Sequence, residues 1–80
     1  MRLDKFLKVS RIIKRRTVAN ELCDKGRATV NERVAKASTS LKVGDVVALN
    51  YPSQTVRFRV LSLQEHVRKE EAQELYQLLD

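Results

Sequence analysis

The spacing of apolar residues changes at Gly26, and this change limits what the chain can fold into. Before Gly26 they recur three and four positions apart, as on one face of an α-helix. After it they alternate with polar residues, as in a half-buried strand. A chain of 80 residues has room for one domain. The pattern therefore predicts a single α+β domain over residues 1–80, with two N-terminal helices packed on a small antiparallel sheet.

Two helices are predicted before Gly26. The first covers residues 3–9, where apolar side chains at relative positions i, i+3 and i+4 form a stripe. The second covers about residues 17–25, because Thr17 is a suitable N-cap and Gly26 follows where helices commonly end in a left-handed residue. The basic segment between the two helices is predicted to be a short connector.

Three strands and a closing helix are predicted for the remainder. Alternating side chains indicate strands at 27–31, 46–51 and 55–61. Further along, apolar residues at relative positions i, i+3, i+4 and i+7 predict a C-terminal helix over about 69–79. This helix is expected to pack back on a core formed by residues 1–63.

The positive charge of the chain is concentrated in its first half. The formal net charge is +6. Residues 1–36 contain eleven Lys and Arg against four Asp and Glu, a balance of +7, and residues 37–80 contain five against six, a balance of −1. A lysine surplus that served only solubility would not be confined to one half. A polyanion, most commonly a nucleic-acid backbone, is therefore the expected partner of the first half.

The start of the second helix is the predicted anion site. Three basic residues at 14–16 precede Thr17, where free backbone N–H groups and the positive end of the helix dipole would meet them. One or two basic residues are expected to form salt bridges with Glu21 or Asp24 instead. The few aromatic residues favour recognition of structured RNA through its shape and backbone. The residues predicted to contact RNA are Arg2, Lys5, Lys8, Arg11, Lys14, Arg15, Arg16, Thr17, Arg27 and Lys36.

Neither catalysis nor a bound cofactor or metal is expected. The single histidine, His66, has no converging partners, and Cys23 lies on an apolar helix face, as a small buried residue would. Metal ligation needs several His or Cys residues at defined spacing. One unpaired cysteine suits the reducing cytoplasm, and no apolar run is long enough for a membrane span or a signal peptide.

Four blocks of sequence resemble the S-four RNA-binding domain family, whose fold is also called the alpha-L motif. They are 1–7 (MRLDKFL), 14–19 (KRRTVA), 26–31 (GRATVN) and 42–45 (KVGD), in the family's order and approximate spacing. The resemblance implies that RNA is held at the start of the second helix and on the adjoining basic face. Where the family usually has glycine, this chain has Glu32, which would make a left-handed turn costlier and bring a carboxylate near phosphate.

Stand-alone members of this family act on the ribosome, and the chain is similar to those of ribosome-associated quality control. The resemblance implies binding to large-subunit rRNA and P-site tRNA on stalled, split large subunits. There the chain would support C-terminal tailing of the nascent chain by a partner factor, as a cytoplasmic, ribosome-associated monomer. The alternatives are a small heat-shock-type protein that recycles freed large subunits, a protein-interaction adaptor, and a regulatory fragment of a modifying enzyme.

Overall fold

Two short helices precede a five-stranded antiparallel sheet in the computed structural model, which describes all residues, 1–80. The helices are α1 (Leu3–Val9) and α2 (Arg16–Asp24), the strands are β1 (Ala28–Val30), β2 (Arg33–Val34), β3 (Val46–Asn50), β4 (Thr55–Val60) and β5 (Tyr76–Leu79), and a 3₁₀ helix (Lys69–Leu75) lies between β4 and β5. The α+β class is confirmed. β1, β3 and β4 begin and end within one residue of their predicted limits.

The five strands lie in the order β2-β1-β3-β4-β5. β1 and β2 form a hairpin whose two turn residues, Asn31 and Glu32, both have positive φ (52° and 71°). Two such residues are typical of a type I′ turn, whose twist matches that of the flanking strands. Glu32 therefore adopts the left-handed conformation that the glycine of the family would adopt without strain.

The helices pack on one face of the sheet through an apolar core. Phe6 of α1 stacks on Phe58 of β4 with 5.9 Å between ring centroids, and both side chains are fully buried. Along β4, Phe58 and Val60 are buried whereas Arg57 and Arg59 are exposed, which confirms the predicted alternation. Truncating a buried phenylalanine to alanine typically costs about 3–5 kcal/mol, so this contact holds α1 firmly on the sheet.

The second helix begins one residue earlier than predicted. Arg15, in extended conformation, is the N-cap residue, and Thr17 lies inside the first turn. The prediction of Thr17 as the N-cap is wrong, because a capping preference is weak beside the tertiary contact that holds Arg16, described below. Gly26 has a φ of 72° after the C-cap Lys25, as predicted. None of the helices combines the length and apolar character needed to span a bilayer.

The predicted helix over about 69–79 is wrong in its second half. The 3₁₀ helix ends at Leu75, and the chain then straightens into β5, which pairs with β4 in the register Val60↔Tyr76. The free edge of β4 presents N–H and C=O groups, and pairing with β5 satisfies them. Tyr76 also packs edge-on against Phe58, with 5.7 Å between ring centroids. These tertiary contacts outweigh the helical spacing of the apolar residues.

The N-terminal residues are bonded to the loop between β2 and β3. Arg2 forms an isolated β-bridge with Ser40, and the backbone N–H of Asp4 donates to the carbonyl of Ala37 (3.1 Å). The side chain of Leu3, between them, is fully buried. These contacts fix the backbone from which the side chains of Arg2 and Asp4 project.

Candidate nucleic-acid interface

Asp4 of α1 binds two arginines, one of them from α2. Its side chain is 3% exposed, whereas those of Arg2 and Arg16 are 50% and 46% exposed. Arg2 donates from Nε to Oδ1 (3.1 Å) and from Nη2 to Oδ2 (3.3 Å). Arg16 has Nε 3.3 Å from Oδ2 and donates from Nη2 to Oδ1 (3.3 Å). Two guanidinium groups thus share one buried carboxylate, and about half of each arginine side chain stays accessible to solvent.

Two further donors complete the environment of this carboxylate. Asn20 Nδ2 donates to Oδ2 (3.4 Å), and the backbone N–H of Lys5 donates to Oδ1 (2.8 Å). Burial alone would raise the pKa of Asp4, but the hydrogen bonds from the two arginines and Asn20 outweigh it and hold the pKa below the ordinary value of 3.8. The carboxylate is therefore ionised at neutral pH. Arg2, Asp4, Arg16 and Asn20 form the Asp4 cluster, whose net charge is positive.

The N-terminus of α2 opens at the same place. The backbone N–H groups of Arg16, Thr17 and Val18 have no acceptor in the chain, because the first helical bond runs from the N–H of Ala19 to the carbonyl of Arg15. No side chain caps this end, and no acidic residue lies in its first turn. Such a terminus attracts anions through its free donors and its dipole. The unpaired amide donors thus begin at Arg16, the residue whose guanidinium binds Asp4.

Two shallow hollows border the Asp4 cluster. One, of about 410 Å³, adds Thr17 and Glu21 to Asp4, Arg16 and Asn20. The other, of about 500 Å³, is lined by Arg2, Asn20 and Lys36 among others. Thr17 and Lys36, both predicted to contact RNA, therefore lie next to the cluster.

A separate groove of about 430 Å³ is lined by four basic residues: Lys8, Arg11, Lys14 and Lys69. Lys8 lies in the last turn of α1, Arg11 and Lys14 lie in the connector, and Lys69 begins the 3₁₀ helix. This set is the basic groove. It contains three of the residues predicted from the sequence and one, Lys69, that was not predicted.

Lys5, Arg15 and Arg27 join neither the Asp4 cluster nor the basic groove. The ammonium of Lys5 is hydrogen-bonded to the carboxylate of Glu65, and this bond lowers the pKa of Glu65. Arg15 is exposed at the N-cap of α2, and Arg27 is half-buried in a third hollow beside Tyr51. The ten predicted residues are therefore divided between the Asp4 cluster with its bordering hollows, the basic groove, and three positions outside both.

The expected salt bridges to Glu21 or Asp24 are wrong. Neither acid pairs with a basic residue; the pairs are formed by Asp4 with two arginines, by Glu65 with Lys5, and by Glu71 with Arg68. Glu21 and Asp24 are exposed, where an ion pair gains little over hydration. A buried carboxylate, by contrast, must be compensated within the protein.

Sequence reasoning missed the residue that organises the site. It assigned Asp4 no part in the site. The available signal was its position beside the apolar stripe of α1, because a carboxylate at the margin of a buried face needs internal donors. Asn20, one helical turn after Arg16, carried a weaker signal of the same kind.

A family model described as the S4 domain matches residues 1–47, more than half of the chain. The chain belongs to the S4 family. This confirms the S-four resemblance, and the matched S4 residues contain both helices, the hairpin and the whole Asp4 cluster. The 3₁₀ helix and β5 lie outside the S4 match.

Relatives of this S4 chain are similar over nearly its whole length. An RQC P-site tRNA stabilizing factor from Halalkalibacterium halodurans is 54% identical over 78 residues, covering 98% of this chain and 89% of the relative. Another, from Streptococcus pneumoniae, is 51% identical over 79 residues, covering 99% and 90%. Among solved structures, that of trimeric Heat Shock Protein 15 from Vibrio cholerae superimposes with a TM-score of 0.90 at 29% identity, covering 99% of this chain and 81% of the other.

Proposed function

We propose that the chain binds large-subunit rRNA and the P-site tRNA of stalled, split large ribosomal subunits. On those subunits it would hold the tRNA in place while a partner factor adds the C-terminal tail to the nascent chain. The observation that carries this proposal is the pair of half-exposed arginines on the buried carboxylate of Asp4, next to the uncapped start of α2. The chain would act by binding and not by catalysis.

The geometry of the Asp4 cluster suits a phosphodiester backbone. A guanidinium has five N–H donors in a rigid plane, so an arginine that gives two nitrogens to Asp4 retains donors for phosphate oxygens. The shared carboxylate fixes both planes before RNA arrives, which lowers the entropy lost on binding. Arginine therefore suits this site better than lysine, whose ammonium cannot bridge a carboxylate and a phosphate in a fixed plane.

The names of the relatives support tRNA as one partner. Proteins about half identical to this chain over nearly all of it are P-site tRNA stabilizing factors. A ribosomal P site with its tRNA presents two RNA backbones side by side, and the interface described above is rich in cations that could meet both. Ribosome association in the cytoplasm follows from this proposal. Because a single chain supplies every member of the Asp4 cluster, we propose that the monomer is the binding unit.

Replacing Arg16 with alanine tests this function. Losing one charge-assisted contact of about 1.5–3 kcal/mol should weaken binding about ten- to a hundredfold. The measurement is co-sedimentation with purified large subunits that carry peptidyl-tRNA, with circular dichroism to show that the variant is folded. Arg59→Ala is the matched control. It removes one exposed arginine from the face of β4 opposite to the buried Phe58 and Val60, away from the helices. A folded Arg16→Ala variant that co-sediments like the unchanged chain would contradict the proposal.

A heat-shock-type role in recycling freed large subunits is the second candidate, favoured by the close superposition on Heat Shock Protein 15. The two functions differ in their need for tRNA. A tRNA stabilizing factor should bind subunits with peptidyl-tRNA more tightly than bare subunits from which the tRNA has been removed. Equal binding to both would favour the recycling role. A complex that survives nuclease treatment would instead identify a protein-interaction adaptor.

A further inference from the structure

The basic groove is built differently from the Asp4 cluster. None of the four salt bridges in the molecule involves Lys8, Arg11, Lys14 or Lys69. All four side chains are exposed, and no apolar residue lines the groove. Four cations thus face one concave surface without an internal counter-charge. An anion from outside the protein would relieve their mutual repulsion.

The C-terminal segment contributes Lys69 to the groove from an anchored backbone. The segment is anchored by the buried side chains of Ala72 and Leu75. Before the 3₁₀ helix, Glu65 is bonded to Lys5, which ties the segment to α1. Lys69 lies outside the part of the chain that matches the S4 family model, residues 1–47. The groove therefore combines residues at the end of α1 and in the connector with one residue of the C-terminal segment.

The backbone of Arg11 carries a cost that the groove would explain. Arg11 has a φ of 62°, in the left-handed region that favours glycine, and a residue with a side chain there is disfavoured by about 1–2 kcal/mol. It directly follows Ser10, the C-cap of α1, where glycine is the usual residue. An arginine at this position therefore lowers local stability but supplies one of the four cations of the groove.

We propose that the basic groove binds a second stretch of RNA backbone, apart from the stretch bound by the Asp4 cluster, and that Lys69 completes this second site. The inference rests on the proposed function and extends it to another surface. RNA fits better than an acidic protein segment, because a peptide would bring backbone amides and apolar side chains that this lining cannot satisfy. A row of phosphates needs only cations at roughly repeated spacing.

Salt dependence measures contacts of this kind directly. Each cation that neutralises a duplex phosphate adds about 0.9 to the slope of log K against log salt, and at about 0.15 M salt one such contact corresponds to about fivefold in affinity. The full chain is titrated against a fluorescently labelled hairpin RNA with a stem of about 20 base pairs. Lys69→Ala should lower the slope by about 0.9 and the affinity by about fivefold. Arg59→Ala, the matched control, should change neither.

The outcomes separate this inference from the proposed function. If the unchanged chain binds neither the hairpin nor large subunits, the proposed function itself fails. If the chain binds but Lys69→Ala behaves like Arg59→Ala, only the second site is wrong. In the Arg16→Ala background, Lys69→Ala should lower the slope by the same amount, because contacts at separate sites are additive. If poly-L-glutamate of equal charge displaces the hairpin as well as unlabelled RNA does, the assignment to RNA is overturned.

Arg11→Gly tests the groove without endangering the fold. Glycine accepts a φ of 62° freely, so the variant should unfold at the same temperature as the unchanged chain or a higher one. It should nevertheless lose about 0.9 of the salt slope, as Lys69→Ala does. A stable Arg11→Gly variant with unchanged binding would contradict a role for Arg11 in the groove.

Discussion

The Asp4 cluster and the basic groove present positive charge in two different ways. In the cluster, a carboxylate that is 3% exposed fixes two arginines at N–O distances of 3.1 to 3.3 Å. In the groove, four cations have no salt bridge at all. The cluster therefore fixes the direction of its two guanidinium groups, and the Asp4 carboxylate neutralises part of their positive charge. The groove keeps its full charge and leaves its side chains free to move.

From this difference we expect the Asp4 cluster to select among phosphate arrangements and the basic groove only to attract them. Oriented guanidinium planes discriminate between phosphate arrangements, because a misplaced phosphate loses two hydrogen bonds at once. Unpaired cations bind any dense row of phosphates, and their attraction weakens steeply with salt. A ribosomal factor needs both properties: rapid attraction to RNA and a defined position once bound.

Asp4→Asn should have the largest effect, because it removes the negative charge that distinguishes the Asp4 cluster from the basic groove. The amide keeps the shape of the carboxylate but cannot hold two guanidinium groups by charge, so the arginines should lose their fixed planes. We expect the free energy of unfolding to fall by about 2 kcal/mol. Binding to large subunits with peptidyl-tRNA should weaken at least tenfold, as for a lost charge-assisted contact.

The same variant separates orientation from net charge. Asp4→Asn raises the formal net charge from +6 to +7, because it removes one acid. If charge alone governed binding, the variant would bind RNA more tightly than the unchanged chain. Weaker binding to subunits, with the protein shown to be folded by circular dichroism, would establish that the arginine planes matter. Tighter binding would mean that the two surfaces work in the same way.

Acid should affect the cluster before it affects the groove. The folded-state pKa of Asp4 lies below its ordinary value of 3.8, so the ionised carboxylate contributes stability above that value. This contribution is lost as the pH falls through the lower, folded-state pKa. Urea unfolding of the unchanged chain and of Asp4→Asn should therefore differ most near neutral pH and converge as the pH falls below 3.8 and through the folded-state pKa. A constant difference across this range would contradict the assigned ionisation of Asp4.

Glu32→Gly should have the smallest effect. Relief of the left-handed conformation at Glu32 (φ 71°) is partly offset by the greater freedom of glycine in the unfolded chain. We expect the free energy of unfolding to rise by about 0.5–1 kcal/mol, measured by urea titration. RNA affinity should stay the same, because Glu32 lines neither the cluster nor the groove. A clear gain in affinity would show that the hairpin turn is a third contact surface.

The two helices and the central strands could be predicted because their signals are local. The stripe of α1, the left-handed Gly26 and the alternation around Phe58 each lie within a few residues, and each is confirmed. The family blocks added the order of these elements. The anion site at the start of α2 was inferred from the run of basic residues and the polarity of a helix, and it stays a prediction.

The features that the sequence did not predict, which are β5, the place of Lys69 and the partners of Asp4, depend on contacts between distant parts of the chain. The residues of β5 have helical spacing, and only the open edge of β4 makes them a strand. Lys69 lines the groove with Lys8, Arg11 and Lys14, which lie more than 50 residues earlier in the chain, and no local pattern reveals this. Asp4 had a usable signal, but its two partners come from different places in the sequence. Sequence reasoning therefore found the cations and missed what orients them.

β5 also determines how the chain tolerates shortening. Its four residues pair with Arg57 to Val60 of β4 and occupy the outer edge of that strand. A chain cut after β4 would leave a row of open N–H and C=O groups, onto which another copy could add a strand. β5 thus moves the open edge of the sheet from the six residues of β4 to its own four residues, and preparations that lack β5 should aggregate more readily even where both helices remain intact.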